Sequence, residues 1–226
     1  KMTIKNITIA SRESPLAIWQ AKHIKFKINQ IFPKIEINIK GFKTQGDILL
    51  DQSLATIGGK GLFIKELEYA LLEKKADLAV HSMKDLPMDI PDEFQLIAIT
   101  NREDPRDAFI SNNFNSMDAM PKGSVIGTSS LRRQSQIKAK YPDLIIEPLR
   151  GNLQTRLEKL DDKEYDAIIL AAAGLIRLGL KPRIKAYLDT SISIPSVGQG
   201  ALGLEVLEGN ENLNKILKSA TPLSKY

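Results

Sequence analysis

The sequence contains no cysteine, only two histidines and no long apolar run. Without cysteine there is no disulfide, no thiolate nucleophile, no iron–sulfur ligation and no thiolate zinc site. Because His23 and His81 are the only histidines, histidine-rich sites are excluded too, and we expect no metal. The longest nearly apolar run, residues 167–176, has ten residues, whereas a membrane-spanning helix needs about 20. We therefore expect no membrane segment, and chemistry based on carboxylates, lysines, arginines, hydroxyls and backbone groups.

The composition is typical of a globular protein with a modest excess of positive charge. Of 226 residues, 42% are hydrophobic and 26% are charged, and the net charge is +5. This length suits one large domain or two ordinary ones, and the spread of basic residues favours no nucleic-acid partner. Eight of the nine arginines, however, lie between Arg102 and Arg183. Since arginine grips carboxylates and phosphates in a planar fork, this asymmetry indicates an anionic ligand.

Strands alternate with helices along the whole chain. Ser14 followed by Pro15 is a good helix N-cap with proline in the first turn, and apolar residues then recur at helical spacing. The pattern predicts helices at residues 15–31, 63–74, 131–140, 153–160, 171–178 and 213–218. It predicts strands at residues 4–10, 35–39, 77–81, 95–100, 108–111, 125–127, 144–147, 167–170 and 201–206. Residues 44–61 are predicted to form a polar loop.

This alternation is typical of α/β domains with mainly parallel sheets covered on both faces. We predict two doubly wound domains, hinged near residues 100 and 200, with a cleft between them. The first comprises residues 1–100 and is completed by a returning strand within residues 200–218; the second comprises residues 101–199. No apolar signal-peptide core precedes the first strand, which predicts a cytoplasmic location.

In open parallel sheets, ligands bind beyond the carboxyl ends of the strands, and here those ends carry hydroxyls and charges. In the first domain the residues at these ends are Ser11, Arg12, Ser14, Ser82, Lys84 and Asp85. In the second domain they are Thr128, Ser129, Ser130, Arg132, Arg133, Arg150, Arg156 and Arg177. Taken singly, the last three arginines are better explained as solvated side chains. Together, the arginines favour a site that holds several carboxylates.

The segment from Gly127 to Arg133 is the most informative of these. Ser129 or Ser130 can cap the helix that follows, whose first N–H groups would then face an anion. Two arginines in the first turn oppose the helix dipole, so their position makes sense if a bound anion compensates them. A Ser-capped helix that carries two solvated arginines explains the segment equally well.

Asp85 does not fit a site built only for anions. Beside Lys84 it could form a simple ion pair, which contributes little at a surface. It could instead stabilise a developing cation or pass a proton to a leaving amine. The combination indicates a substrate with acidic arms and a cationic reacting centre.

Four further residues, outside these strand ends and the segment after Gly127, have an expected role. The glycine-rich loop presents Lys60 and Phe63, and we expect it to cover the site. Gln20, on the first helix, is a candidate to face the cleft. His81 follows an apolar strand, where a hydrogen-bonded structural role is favoured over catalysis.

Eight motifs occur in order, nearly from end to end: SRESPLAIWQA, GGKGLF, AVHSMKDLP, REDPRDAF, GTSSLRRQ, LRGN with TRL after it, AGLIRLG and PSVGQGA. They resemble the porphobilinogen deaminase (hydroxymethylbilane synthase) family. The resemblance implies two domains that resemble type II periplasmic binding proteins. It also implies a monomeric transferase that deaminates porphobilinogen and joins it head to tail into hydroxymethylbilane, the linear tetrapyrrole of haem biosynthesis, with a dipyrromethane cofactor.

The resemblance also implies roles for single residues of this chain. Asp85 matches the catalytic carboxylate, which hydrogen-bonds pyrrole N–H groups and stabilises positive charge, and Lys60 and Phe63 match the covering loop. Residues at positions that bind substrate are Arg12, Ser14, Gln20, Arg150, Arg156 and Arg177. Residues at positions that bind the dipyrromethane are Ser82, Lys84, Thr128, Ser129, Ser130, Arg132 and Arg133.

The family also carries a third, C-terminal domain, whose loop cysteine holds the dipyrromethane through a thioether. Because the sequence has no cysteine and ends soon after the predicted helix at residues 213–218, we expect this domain to be missing from the chain, which is then a fragment, a truncated gene product or part of a protein whose third domain is not represented in it. A protein of another class, a two-lobed small-anion binding protein without catalysis, explains the arginines as well. Asp85 and the missing export signal argue against it, and the absent cysteine argues for it.

Overall fold

The computed structural model describes residues 4–49 and 61–221, and contacts divide the chain into two compact units. Unit 1 holds the described residues up to Arg102 together with those from Ala201 onward, and unit 2 holds Glu103–Gly200. Each unit contains its own five-stranded sheet. The predicted α/β class is confirmed.

The described residues form ten strands and seven α-helices. The strands are β1 (Asn6–Arg12), β2 (Glu36–Phe42), β3 (Leu78–Ser82), β4 (Phe94–Ile99), β5 (Asp107–Ile110), β6 (Val125–Gly127), β7 (Ile145–Glu147), β8 (Ala167–Ala171), β9 (Ala186–Tyr187) and β10 (Leu202–Leu207). The helices are α1 (Pro15–Ile31), α2 (Gln45–Ile48), α3 (Lys65–Leu72), α4 (Leu131–Lys140), α5 (Leu153–Asp161), α6 (Ala172–Arg177) and α7 (Glu211–Ala220). Short 3₁₀ turns occur at Met83–Asp85, Met117–Ala119 and Lys181–Arg183.

Helix α1 begins where its cap predicts. Ser14 Oγ accepts a hydrogen bond from the Ala17 N–H at 3.3 Å, and Pro15 occupies the first turn, where its missing N–H costs nothing. The apolar spacing then places Ala21, Ile24 and Ile28 on one face, all fully buried. The predicted cap and helix are confirmed.

The sheet of unit 1 has the order β2-β1-β3-β10-β4. β1 pairs in parallel with β2 and β3, whereas β10 is antiparallel to both β3 and β4. Helices α1 and α7 cover one face through an aliphatic core, and α3 covers the other through Leu67, Ala70 and Leu71. β10 is therefore an interior strand of a sheet whose other members precede residue 100.

The sheet of unit 2 has the order β7-β6-β8-β5-β9. β6 pairs in parallel with β7 and β8, whereas β5 is antiparallel to β8 and β9. One face packs on α5 and α6 and the other on α4, so both faces are covered. No helix of the described ranges is long and apolar enough to cross a membrane.

Three expectations about the elements were wrong. The sheets are mixed rather than mainly parallel, because β10 is antiparallel to β3 and β4, and β5 to β8 and β9; the chain enters each of these two strands from the other unit, not through a helical crossover within the same unit. The predicted loop contains α2, which Thr44 and Asp47 stabilise by a capping box. The helix predicted over residues 63–74 is shorter, Lys65–Leu72, and β9 was not predicted at all.

Candidate active-site residues

Asp85 lies just beyond the end of a buried strand. Four of the five residues of β3 are buried, and the 3₁₀ turn Met83–Asp85 follows directly. The Met83 N–H donates to the Ala201 carbonyl at 3.0 Å, and the Leu86 N–H closes the turn on the Met83 carbonyl at 3.2 Å. Asp85 itself is exposed. A rigid strand thus presents an accessible carboxylate.

Gly203 on β10 makes room for this turn. A Cβ at position 203 would lie 2.6 Å from Met83 Sδ, 2.9 Å from Leu96 Cδ1 and 3.1 Å from Leu86 Cδ1. The first two distances are shorter than real Cβ contacts. Because Met83 and Leu86 flank the pair Lys84 and Asp85, the missing side chain lets the turn pack directly on β10.

Gln20 and Ser82 contact each other at the end of β3. The Gln20 amide Nε2 donates to Ser82 Oγ at 3.1 Å, and Ser82 Oγ lies 3.3 Å from Gln20 Oε1, within donating distance. Gln20 is only 4% exposed, so this pair joins α1 to β3. Of the sequence candidates in unit 1, these are two that the structure brings together.

Arg12, at the end of β1, is held between a carboxylate and an aromatic ring. Its Nε donates to Asp47 Oδ2 at 3.2 Å, its Nη2 donates to Asp47 Oδ1, and its guanidinium carbon lies 4.2 Å from the Phe63 ring centroid. Partial burial acts to raise the pKa of Asp47, but hydrogen bonds from Arg12 and Thr44 and the charge of Arg12 lower it overall. The Arg12 guanidinium is therefore held in place by two other side chains of unit 1, Asp47 and Phe63.

Phe63 is fixed against α2 by a close approach. A Cβ at Gly46 would lie 2.3 Å from the Phe63 ring, so only glycine fits beneath it. The structure thus brings Phe63 to Arg12, as the sequence did not predict. Lys60, its predicted partner in the covering loop, lies outside the described residues.

The three hydroxyls after β6 each have a defined hydrogen-bond partner. Thr128 Oγ1 accepts from the Ser130 N–H at 3.2 Å, and Ser129 Oγ donates to the Leu149 carbonyl at 2.9 Å. Ser130 Oγ accepts from the Arg133 N–H at 3.3 Å and caps α4. Of the two candidate caps, Ser130 is the one used.

Arg132 and Arg133 share one buried carboxylate, Asp107. Arg132 Nη1 donates to Asp107 Oδ2 at 2.8 Å and Arg133 Nε donates to Asp107 Oδ1 at 3.0 Å. Ser193 Oγ and Gln199 Nε2 donate to the same carboxylate at 2.6 and 2.9 Å. The anion that compensates the two arginines at the start of α4 is therefore supplied by the protein itself.

The electrostatics of this cluster follow from its burial. Asp107 is fully buried; burial raises the pKa of its carboxyl, but the hydrogen bond from Arg132 and the charge of Arg133 outweigh it and hold the pKa far below its usual range. Burial lowers the pKa of Arg133 more than the attraction of Asp107 raises it. The two arginines differ in exposure to solvent: the Arg132 side chain is 27% exposed, whereas that of Arg133 is only 8% exposed.

Two further candidate arginines of unit 2, Arg156 and Arg177, donate to backbone carbonyls. Arg156 Nε donates to the Gly151 carbonyl at 2.8 Å, in the turn that also carries Arg150. Arg177, at the end of α6, donates from Nη2 to the Gly200 carbonyl at 2.6 Å. Burial lowers the pKa of Arg177, and the nearby charge of Glu103 raises it by less.

Sequence reasoning missed the carboxylates that organise these cations. Asp47 and Asp107 each bind a predicted arginine, and Gln199 joins the second cluster. Asp107 and Gln199 do lie in the motifs REDPRDAF and PSVGQGA, but no pattern indicated that they meet. A signal for Asp47 was present, because Thr44 and Asp47 have the spacing of a capping box.

The expectation that His81 is a hydrogen-bonded residue is confirmed by its contact with Glu205 at 3.0 Å.

Comparison with known proteins gives the fold and the family of this chain. A substrate-binding periplasmic protein of an ABC transporter from Coxiella burnetii superimposes with a TM-score of 0.59 at 13% identity, over 96% of this chain and 92% of the other. At that identity the likeness shows the fold alone. The predicted type, two doubly wound domains resembling periplasmic binding proteins, is confirmed.

Sequence relatives are much more similar. The porphobilinogen deaminase of Laribacter hongkongensis is 58% identical over 214 residues, which cover 95% of this chain and 70% of the relative. That of Neisseria meningitidis serogroup B is 57% identical over 96% of this chain and 70% of the relative. Residues 7–215 also match the family model for porphobilinogen deaminase, dipyromethane cofactor binding domain. The predicted family is confirmed: the chain belongs to the porphobilinogen deaminases.

Proposed function

We propose that Asp85 carries the chemistry of this transferase, which deaminates porphobilinogen and joins the units head to tail in tetrapyrrole biosynthesis. The observation that carries the proposal is the position of Asp85, an exposed carboxylate in a turn fastened to two buried strands. A fixed carboxylate costs little reorganisation when positive charge develops beside it. The family relationship supports the reaction, and the geometry supports the residue.

The reaction needs a carboxylate at two points. Loss of ammonia from the aminomethyl group of the substrate places positive charge on its pyrrole ring, which an adjacent carboxylate stabilises. Carbon–carbon bond formation then releases a proton from the pyrrole α-carbon, and a carboxylate within reach can accept it. Asp85 is proposed for both roles, with its oxygens directed to the pyrrole N–H groups.

The donors of unit 2 fit the acidic arms of a dipyrromethane. Arg132 directs two nitrogens to Asp107, and one of them also donates to the Ile194 carbonyl; since a guanidinium has five N–H donors, the partly exposed side chain has donors left for a carboxylate. We propose that Arg132, Thr128, Ser129 and Ser130 bind those arms, and that Lys84 and Ser82 of unit 1 are further dipyrromethane-binding residues. When bound, the dipyrromethane supplies the pyrrole carbon that the first substrate unit joins. No residue is assigned to its thioether link, because the sequence contains no cysteine.

Arg133 is proposed to act through Asp107 rather than on a ligand directly. Its side chain is buried and donates to Asp107 and to the Ile169 carbonyl at 3.2 Å. By holding the Asp107 carboxylate, Arg133 fixes Arg132, which binds the same carboxylate.

The proposed substrate-binding residues are Arg12, Ser14, Gln20, Arg150, Arg156 and Arg177, with Lys60 and Phe63 in the covering loop. We also propose a cytoplasmic monomer.

The Asp85→Asn variant tests the catalytic assignment. It keeps the size and hydrogen-bonding ability of the side chain but removes its charge and basicity, so turnover of porphobilinogen should fall by at least about 100-fold. The measurement is the rate of porphobilinogen consumption by the protein expressed from its native gene. Asp89→Asn, an exposed carboxylate four residues further on, is the matched control and should keep the rate. Turnover retained in Asp85→Asn would falsify the assignment.

The Arg132→Leu variant tests the proposed anion-binding residues by affinity, without turnover. Loss of a charge-assisted hydrogen bond should weaken binding of a free dipyrromethane dicarboxylate about tenfold or more, measured by calorimetry. Arg183→Leu removes another arginine, one that pairs with Asp161, and should leave affinity unchanged. Equal affinities in the Arg132 variant and the wild type would contradict the assignment of Arg132.

A further inference from the structure

Unit 1 contains a buried group of titratable side chains that the proposed mechanism does not use. His81 of β3 and Glu205 of β10 are 124 residues apart, and His81 Nε2 lies 3.0 Å from Glu205 Oε1. Their side chains are 3% and 0% exposed. Glu68 of α3 lies near the same carboxylate, whose charge and hydrogen bonding act to raise the pKa of the Glu68 carboxyl. We call Glu68, Glu205 and His81 the carboxyl cluster.

Two carboxyl groups in contact need a proton between them. Glu205 Oε2 is buried, and with both groups ionised no donor among the described residues reaches it. A proton on Glu68 supplies that donor, while Oε1 lies 3.0 Å from His81 Nε2. Burial first, and then the charge of Glu205, raise the pKa of Glu68 to about 7; Glu93 adds to this and Lys65 opposes it. The proton is therefore held on the acid side of neutrality and lost above it.

The carboxyl cluster spans the strands that fix Asp85. β3 and β10 pair with Ser82 opposite Leu202 and His81 opposite Gly203. One residue further, the Met83 N–H donates to the Ala201 carbonyl and starts the turn that carries Asp85. The contact between His81 and Glu205 thus lies immediately before the turn, on the same strand pair.

We propose that the proton shared by Glu68 and Glu205 makes the carboxyl cluster a positioning device for Asp85, which makes this enzyme's turnover sensitive to pH near neutrality. With the proton present, α3, β10 and β3 are joined by a continuous chain of hydrogen bonds. Without it, two negative charges face each other, one of them fully buried, and their repulsion loosens the junction from which the Asp85 turn leaves. The inference rests on the proposed role of Asp85.

The sign of the effect on stability follows from the raised pKa. A carboxyl with a higher pKa in the folded than in the unfolded state stabilises the fold fully below its unfolded pKa, near 4.5. That contribution is lost as the pH rises to about 7. Glu68→Gln mimics the protonated form at every pH, because its amide N–H donates to Glu205 without titrating. Relative to wild type, this variant should become more stable as the pH rises through this range.

The test combines two pH series on wild type and Glu68→Gln. Urea unfolding from about pH 5 to about pH 8 measures the stability difference, which should grow with pH. Near pH 6, the two proteins should turn over porphobilinogen at rates equal within about twofold. Near pH 8.5, the rate of wild type should be lower than that of Glu68→Gln by at least about fivefold. Glu73→Gln, which removes an exposed carboxylate at the end of the same helix, should reproduce neither difference.

Each outcome bears on a separate part of the inference. Parallel stability curves for wild type and Glu68→Gln would overturn the shared proton. A growing stability difference with superimposable turnover profiles would overturn the positioning role, whereas differences in both series would support it. The unfolding series does not involve Asp85, so an active Asp85→Asn variant would defeat the proposed function while the result on the shared proton stands.

Discussion

Asp107 is the residue on which the arginines at the start of α4 depend. It is fully buried and accepts hydrogen bonds from Arg132, Arg133, Ser193 and Gln199. A buried carboxylate with this many donors is strongly favoured in its ionised form. Because Arg133 is also buried, each charge would be costly without the other.

Asp107→Asn should therefore lower the free energy of unfolding by about 3–5 kcal/mol, since it leaves the Arg133 charge buried and unpaired. The pKa of the Asp107 carboxyl is lowered in the folded protein. The ionised carboxylate therefore contributes to the free energy of unfolding above the usual pKa of 3.8, and this contribution is lost as the pH falls below that value. Urea unfolding at about pH 7 and about pH 3 measures both effects. The difference in free energy of unfolding between wild type and variant should be smaller at about pH 3. Asp161→Asn, which breaks an exposed pair with Arg183, should change stability by less than about 1 kcal/mol. An Asp107→Asn variant as stable as that control would contradict this account.

Single residues at strand ends could be predicted, but their partners could not. The rule that ligands bind beyond parallel strands selected Asp85 and Arg132 from their positions alone. Gln199 and Asp107 are 92 residues apart, and Glu205 and His81 are 124 apart. Nothing in local spacing links such residues: His81 and Glu205 meet because β10 pairs antiparallel with β3, and Gln199 reaches Asp107 of β5 from a turn that precedes β10. The helix dipole indicated an anion near Arg132, but could not distinguish a ligand from Asp107.

The junction of β3 and β10 is the element on which the Asp85 turn depends. Gly203 allows Met83, Leu86 and Leu96 to occupy the space that a side chain would take. Gly203→Ala should cost about 1–3 kcal/mol of stability through overpacking and should also lower turnover, because Met83 opens the turn. Gly41→Ala is the matched control in the same sheet: its new Cβ would meet the flexible side chain of exposed Glu13. Thermal unfolding and porphobilinogen consumption measure the two effects, and a Gly203→Ala variant with control-like values for both would refute the argument.

Elements with strong periodicity and caps were predictable, and those held by distant contacts were not. α1 has both signals, the cap at Ser14 and a regular apolar face, and its predicted and observed ranges agree. β9 has only two residues, Ala186–Tyr187, and exists because it pairs with β5. α2 is a single short turn, and its capping box lay in a segment whose polarity predicted a loop.

Over the whole molecule, the uneven distribution of arginine has a partly internal explanation. In unit 2, Arg106 pairs with Asp104, Arg132 and Arg133 with Asp107, and Arg183 with Asp161. Composition predicted an anionic ligand for these side chains. Several of the anions are carboxylates of the same unit, so the number of arginines overstates the number of ligand contacts. The family relationship, rather than composition, carries the functional conclusion.

The interior position of β10 has a consequence for how the chain is made. Among the described strands, β4 pairs with β10 alone, and more than a hundred residues separate the two strands in the sequence. Unit 2 is continuous from Glu103 to Gly200, so all of it is synthesised before β10 leaves the ribosome. At about 5–20 residues per second, the strands before residue 100 therefore wait on the order of 5–20 s for β10 while unit 2 is made. The part of the chain that is translated first therefore completes its sheet last, and until then β3 and β4 lack the strand that joins them.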